Sequence, residues 1–181
     1  AGYYLDATVF LMIGENLKSV LSIMNSKLGN WYFAQISSTS GMGTNRWKKY
    51  KIQKFPLPNI SLNNHSNLES ICNYLILLND PNTLSIMEHA SNEMISLQLE
   101  EVLNMMVYEL YFEEHMKEKE IDILQFINFP DISKMETFEE KRDTIQKIYY
   151  WLKEKDNPIR NRILVSESRS WIIKRINQST H

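Results

Sequence analysis

The residues best suited to chemistry sit together near position 46, where Arg46-Trp47-Lys48-Lys49-Tyr50-Lys51 directly follows the polar run of residues 37–45, Ser-Ser-Thr-Ser-Gly-Met-Gly-Thr-Asn. Gly41 and Gly43 free that run to take positive φ, so it reads as a mobile polar loop. Cations behind such a loop are what a polyanion needs, because each Lys or Arg set against a phosphate releases a condensed counterion. Phosphate contacts position a protein on duplex DNA, whereas contacts to base edges specify the sequence. On this reading Arg46, Lys48, Lys49 and Lys51 hold the backbone, with Arg46 reaching a base edge or a phosphate. Ser38, Thr39, Ser40, Thr44 and Asn45 are either polar groove contacts or solvated loop residues. Trp47 and the adjacent Trp31, Tyr32 and Phe33 read as packing residues rather than base-stacking ones.

The charge distribution supports this placement. Up to Leu68 there are two acids and seven bases, a balance of +5; from Glu69 onward, 20 acids against 13 bases give −7. Between Glu15 and Glu69 there is no acidic residue, while all seven bases fall there. The basic stretch reads either as a polyanion footprint or as a solvated basic face.

Other chemistries find less support. Pro130-Asp131 followed by Glu139-Glu140-Lys141 has the letters of a metal-dependent nuclease, but its second half falls in an expected helix, where acids at an N-terminus complement the macrodipole. Asp156-Asn157-Pro158-Ile159 lacks the second proline and the aromatic ring of an adenine-binding Asn-Pro-Pro-aromatic loop and reads as a helix start. There is no Gly-rich phosphate loop. His65, His89, His115 and His181 are too scattered to suggest a metal site, and the lone Cys72 reads as a small buried hydrophobe. We therefore expect no catalytic residue, metal or cofactor in this chain. A reducing, cytoplasmic setting fits one cysteine and the lack of any apolar run of about 18 residues. The chain opens on Ala1-Gly2-Tyr3-Tyr4 and reads as a piece of a longer protein.

Positioning the basic cluster requires a platform, and the pattern predicts one. Residues 3–13 read as a buried strand; Leu17, Val20, Leu21, Met24 and Leu28 lie on one face of a helix that should stop near Gly29. Three adjacent aromatics at 31–33 cannot share one side of a regular element. Residues 52–57 read as a short strand confined to an edge by Pro56 and Pro58, and residues 59–67 as a linker. Beyond it, Ser66-Asn67-Leu68-Glu69 and Thr137-Phe138-Glu139-Glu140 have capping-box spacing, while Asp80-Pro81 and Asn157-Pro158 read as helix starts. Ile95, Leu99, Val102, Met106 and Leu110 predict one long helix, or two with a break near Ser91, running to about His115, and Ser166 or Ser168 starts the last helix. The expected fold class is α+β: a small N-terminal sheet with flanking helices over residues 1–60, then a mostly α-helical lobe over 61–181.

In order, the first sixty residues hold an apolar strand, a helix ending Asn25-Ser26-Lys27-Leu28-Gly29-Asn30-Trp31-Tyr32-Phe33, a Ser/Thr/Gly loop, Arg46-Trp47-Lys48-Lys49 and Phe55-Pro56-Leu57-Pro58. This resembles the C-terminal specificity domain of the TaqI-like and Eco57I-like type II restriction-modification adenine methyltransferases. Residues 99–111, ending Leu103-Asn104-Met105-Met106-Val107-Tyr108-Glu109-Leu110-Tyr111, resemble a helix near the end of many such enzymes. The resemblance implies a target recognition domain that grips double-stranded DNA. Methyl transfer from S-adenosylmethionine to a flipped adenine would then belong to an N-terminal methyltransferase domain outside this chain. Gly41-Met42-Gly43 is shorter than the glycine runs common in that family, which leaves the reach of the loop open. Two other functions suit the pattern: a specificity subunit of a type I restriction system, and a helical protein-interaction module using Met94, Met105 and Met106 as adaptable contacts.

Overall fold

The computed structural model describes residues 12–36 and 49–179, with the backbone alone for Lys49. Eight α-helices follow one another among them: α1 (Leu17–Asn25), α2 (Lys27–Ile36), α3 (Lys49–Ile52), α4 (Leu62–Asn79), α5 (Asn92–Glu118), α6 (Phe138–Lys153), α7 (Pro158–Arg169) and α8 (Trp171–Ser179). Short 3-10 turns at Leu124–Phe126 and Ile132–Lys134 join α5 to α6.

The α+β expectation is therefore corrected: the described residues contain helices and no strand. Of the expected first strand, residues 1–11 lie outside the described residues, and Met12 and Ile13 are irregular. The expected strand at 52–57 is replaced by α3, a turn closed by Lys54 N–H to the Lys51 carbonyl (3.2 Å) and Phe55 N–H to the Ile52 carbonyl (3.0 Å), and irregular chain beyond. A strand reading of 52–57 fails because strand preference reflects a pleated, half-buried surface, and no partner strand lies among the described residues.

Residues 62–67 of the expected linker already belong to α4. Ser61, not Ser66, is its N-cap, accepting from Asn64 N–H at 3.3 Å. Asp80-Pro81 does not open a helix: Asp80 caps the end of α4 and its carboxylate accepts from Asn82 N–H (2.9 Å), an Asx turn. The break foreseen near Ser91 is the start of α5, with Ser91 Oγ accepting from Met94 N–H at 3.2 Å. Thr137 and Glu140 form the reciprocal capping box of α6, and the Asn157 carboxamide caps α7 through Ile159 and Arg160 N–H (3.0 and 2.9 Å). The last helix starts after Ser170, a turn later than Ser166.

The core runs along α5. Ile95, Leu99, Val102, Met106 and Val107 are almost completely buried and pack with Leu68, Ile71 and Tyr74 of α4, Ile145 and Leu152 of α6, Ile159 of α7 and Ile173 of α8. Ile23 of α1 and Leu28 of α2 join that same cluster. Several buried polar groups are paired across the core: Asn67 donates to the Ile127 carbonyl and accepts from Phe129 N–H, and Tyr108 donates to Asn177 (2.7 Å). Among the described residues no helix is long and apolar enough to cross a membrane.

Candidate nucleic-acid interface

The helix expected to stop at Gly29 breaks three residues earlier, at Ser26, whose ψ of 161° is extended. Its hydroxyl donates to the Ile23 carbonyl (2.7 Å) and accepts from Gly29 N–H (3.1 Å), ending α1 and capping α2 with one side chain. Gly29 lies inside α2, where its part is close approach: a Cβ there would sit 2.3 Å from the Ile23 carbonyl oxygen and 2.8 Å from that of Met24. The Asn104 carboxamide of α5 accepts from Lys27 N–H (2.7 Å), so the first turn of α2 is also capped from across the core.

α1 packs by Ile23 together with two small side chains. Ser19 and Ser22 are buried against α4, where Ser19 meets His65 Nδ1 (3.0 Å) and Ser22 donates to the Leu68 carbonyl (3.4 Å). Leu17 and Leu21, expected on the packing face, are 38% and 46% exposed. Lys18 Nζ donates to Asn73 of α4 at 2.6 Å.

α2 turns Phe33 inward, buried, and sets Tyr32 edge-on against Phe55 (5.3 Å between ring centres, 81° between planes), so the neighbouring aromatics do serve different surfaces. Lys51 of α3 donates from Nζ to the carbonyl of Ile36, the last residue of α2, at the negative end of that helix dipole. The same ammonium lies 6.0 Å from the centre of the half-exposed Tyr50 ring. Past the turn, Tyr111 of α5 donates its hydroxyl to the Pro56 carbonyl (2.6 Å). Burial, with Tyr32 nearby, pushes the Tyr111 phenol up to about 12, so it keeps its proton in ordinary buffers.

Of the residues read as DNA contacts, Ser38, Thr39, Ser40, Thr44, Asn45, Arg46 and Lys48 lie outside the described residues, as does the expected packing of Trp47. Lys49 opens α3, and Lys51 is drawn back to α2. The structure thus brings together the two ends of the span 37–48: its entry at Ile36, its exit at α3, and behind them Tyr32, Phe55 and Tyr111.

Asn104 and Tyr111 were not singled out as functional by sequence. They lie in the stretch 99–111 whose likeness to a helix of such enzymes the sequence offered, and there Asn104, Tyr108 and Tyr111 each make a long-range hydrogen bond.

The other constellations are structural. Asp131 accepts from Ser133 N–H (2.9 Å) and Ser133 Oγ (2.6 Å), which hold its carboxyl below its ordinary range, while Glu140 serves the capping box of α6. Cys72 is buried, and burial pushes its thiol up. His115 meets Ser170 Oγ at 2.9 Å, and His89 is exposed on a bend. No group of three His, Cys, Asp or Glu side chains among the described residues could hold a metal ion.

No curated protein and no solved structure matches the chain. Its first third does find a relative: residues 1–57 match the family model described as the TaqI-like C-terminal specificity domain, which gives this segment a DNA-recognition role of the restriction-modification kind.

Proposed function

We propose that this chain is the sequence-reading part of a type II restriction-modification adenine methyltransferase, bacterial and cytoplasmic. Residues 37–49 enter or line a groove of duplex DNA, and the helical lobe serves as their base. The observation that carries the reading is the family match over residues 1–57, which spans the whole acid-free loop and its basic flank. The anchoring of both ends of the loop supports it, since groove contacts need a fixed platform behind them.

Methyl transfer, and any DNA cleavage by the parent, belong in this reading to a catalytic domain outside residues 1–181. The nearest approach to an adenine-binding loop, Asn157-Pro158, has its side chain 98% buried and occupied in capping α7. The protein-interaction alternative loses two of its three methionines to the core: Met105 and Met106 are buried, and only Met94 of the three is exposed.

The reading is tested by alanine substitution. Arg46→Ala is expected to weaken binding to the preferred duplex by roughly 1–3 kcal/mol and to relax discrimination at one base pair. Lys48→Ala and Lys49→Ala should weaken all duplexes alike, each lowering the salt slope by about 1. Affinities of all three variants equal to that of the unaltered chain would count against the assignment.

A further inference from the structure

The outer half of α5 reaches the recognition segment twice. Asn104 takes Lys27 N–H at the start of α2, and Tyr111, two helical turns on, takes the Pro56 carbonyl at the exit of the basic cluster. Positions i and i+7 share one helix face, and at 1.5 Å per residue they lie about 10 Å apart along it. Both limits of residues 27–56 are therefore set by one ruler. That ruler is packed between its two contacts: Met106, Val107 and Tyr108 are at most 1% exposed. α5 leaves helical geometry only at Phe112 (φ −129°, ψ 39°), immediately after Tyr111.

The Pro56 contact has few alternatives. Proline has no N–H, so its carbonyl is the one polar group by which this residue can be held. Pro56 is exposed, so water competes for that carbonyl and the bond contributes little to overall stability. Its value is geometric: it fixes the height at which the chain leaves α3, next to the Phe55 ring that packs on Tyr32.

We propose that Tyr111 is a positioning residue for duplex recognition, acting through its hydroxyl on the Pro56 carbonyl. The inference rests on the DNA-reading function above. It assigns to the helical lobe a part in specificity that neither the basic cluster nor the match over residues 1–57 contains.

The test uses the full 181-residue chain and duplexes of about 20 base pairs selected from a randomised pool. Selectivity is the affinity for the best selected duplex relative to the unselected pool. Tyr111→Phe keeps the ring and removes the donor. Selectivity is expected to fall roughly tenfold, the scale of one lost base contact, with an unchanged salt slope because every cation remains. Tyr108→Phe makes the same chemical change three residues earlier, breaking a bond that stays within the helical lobe; it should lower thermal stability and leave selectivity alone. Unaltered selectivity in Tyr111→Phe overturns the proposal, as does an equal loss in both variants. A parent chain that binds no duplex in a salt-dependent way overturns the DNA-reading function itself, a result separable from the other two.

Discussion

Gly29→Ala is expected to destabilise the fold by roughly 2–3 kcal/mol, the upper range for forcing an added methyl group into a packed site. Helix propensity alone argues the other way, since alanine inside a helix is favoured over glycine by about 1 kcal/mol. Geometry decides the sign. The new Cβ would stand 2.3 Å from the Ile23 carbonyl oxygen and 2.8 Å from that of Met24, both backbone atoms of α1 that no rotamer change can move. Relief requires α1 and α2 to separate, which strains the Ser26 hydroxyl bonds and the Asn104 contact to Lys27. Urea unfolding of the variant beside the parent measures this; a gain in stability would show that the two helices do not approach as described.

The second large effect is expected at Glu109, a carboxylate only 4% exposed on α5. One of its oxygens accepts from Ile123 N–H (2.5 Å) and Leu124 N–H (2.8 Å), holding the chain that returns from α5 toward α6. Glu109→Ala leaves the buried Ile123 N–H and the partly buried Leu124 N–H without an acceptor, at up to about 1–3 kcal/mol each; relief of the buried charge offsets part, for a net loss of roughly 2–4 kcal/mol. Glu109→Gln retains an acceptor oxygen and should lose far less.

The glutamine variant also isolates a pH dependence. Burial raises the Glu109 pKa, against the pull of the two N–H bonds and of Lys117, with Asp122 adding to the rise. A folded-state pKa above the unfolded value of about 4.3 means that the protonated form is favoured on folding. Its contribution is full below that unfolded value and is lost as pH rises through the folded one. The stability of the parent relative to Glu109→Gln should therefore decline from about pH 4 toward neutrality; a difference that grew with pH would contradict it.

What could be read from sequence divides by the range of the interaction. Thr137 with Glu140, and Asn157 with Pro158, are caps whose donors and acceptors lie within three residues, and each was legible from spacing alone. Gly29 was misread as a helix stop because a glycine after an apolar run has two uses, a left-handed C-cap and a close approach. Only the position of Ile23 distinguishes them. The packing face of α1 was misread for a related reason. Periodicity favours Leu17 and Leu21, yet α4 offers His65 and the Leu68 carbonyl at short range, and those admit only Ser19 and Ser22. The strand at 52–57 was drawn from a short run that Pro56 and Pro58 would confine to an edge, where Lys51 and Tyr111 instead fasten a short helix and an irregular exit. In the site itself the basic cluster was legible because charge is a property of composition. Its supports, Asn104 and Tyr111, lie 77 residues from Lys27 and 55 from Pro56 and became visible only with the fold.

Whether the basic segment before Glu69 grips duplex DNA is decided by the affinity of the unaltered chain for a duplex of about 20 base pairs, followed from 50 to 200 mM salt. Engagement of three or four phosphates predicts that log K falls against log salt with a slope of about −3, each phosphate contributing about −0.9. A slope near zero, or no binding at the lowest salt, would mean that the segment does not grip DNA.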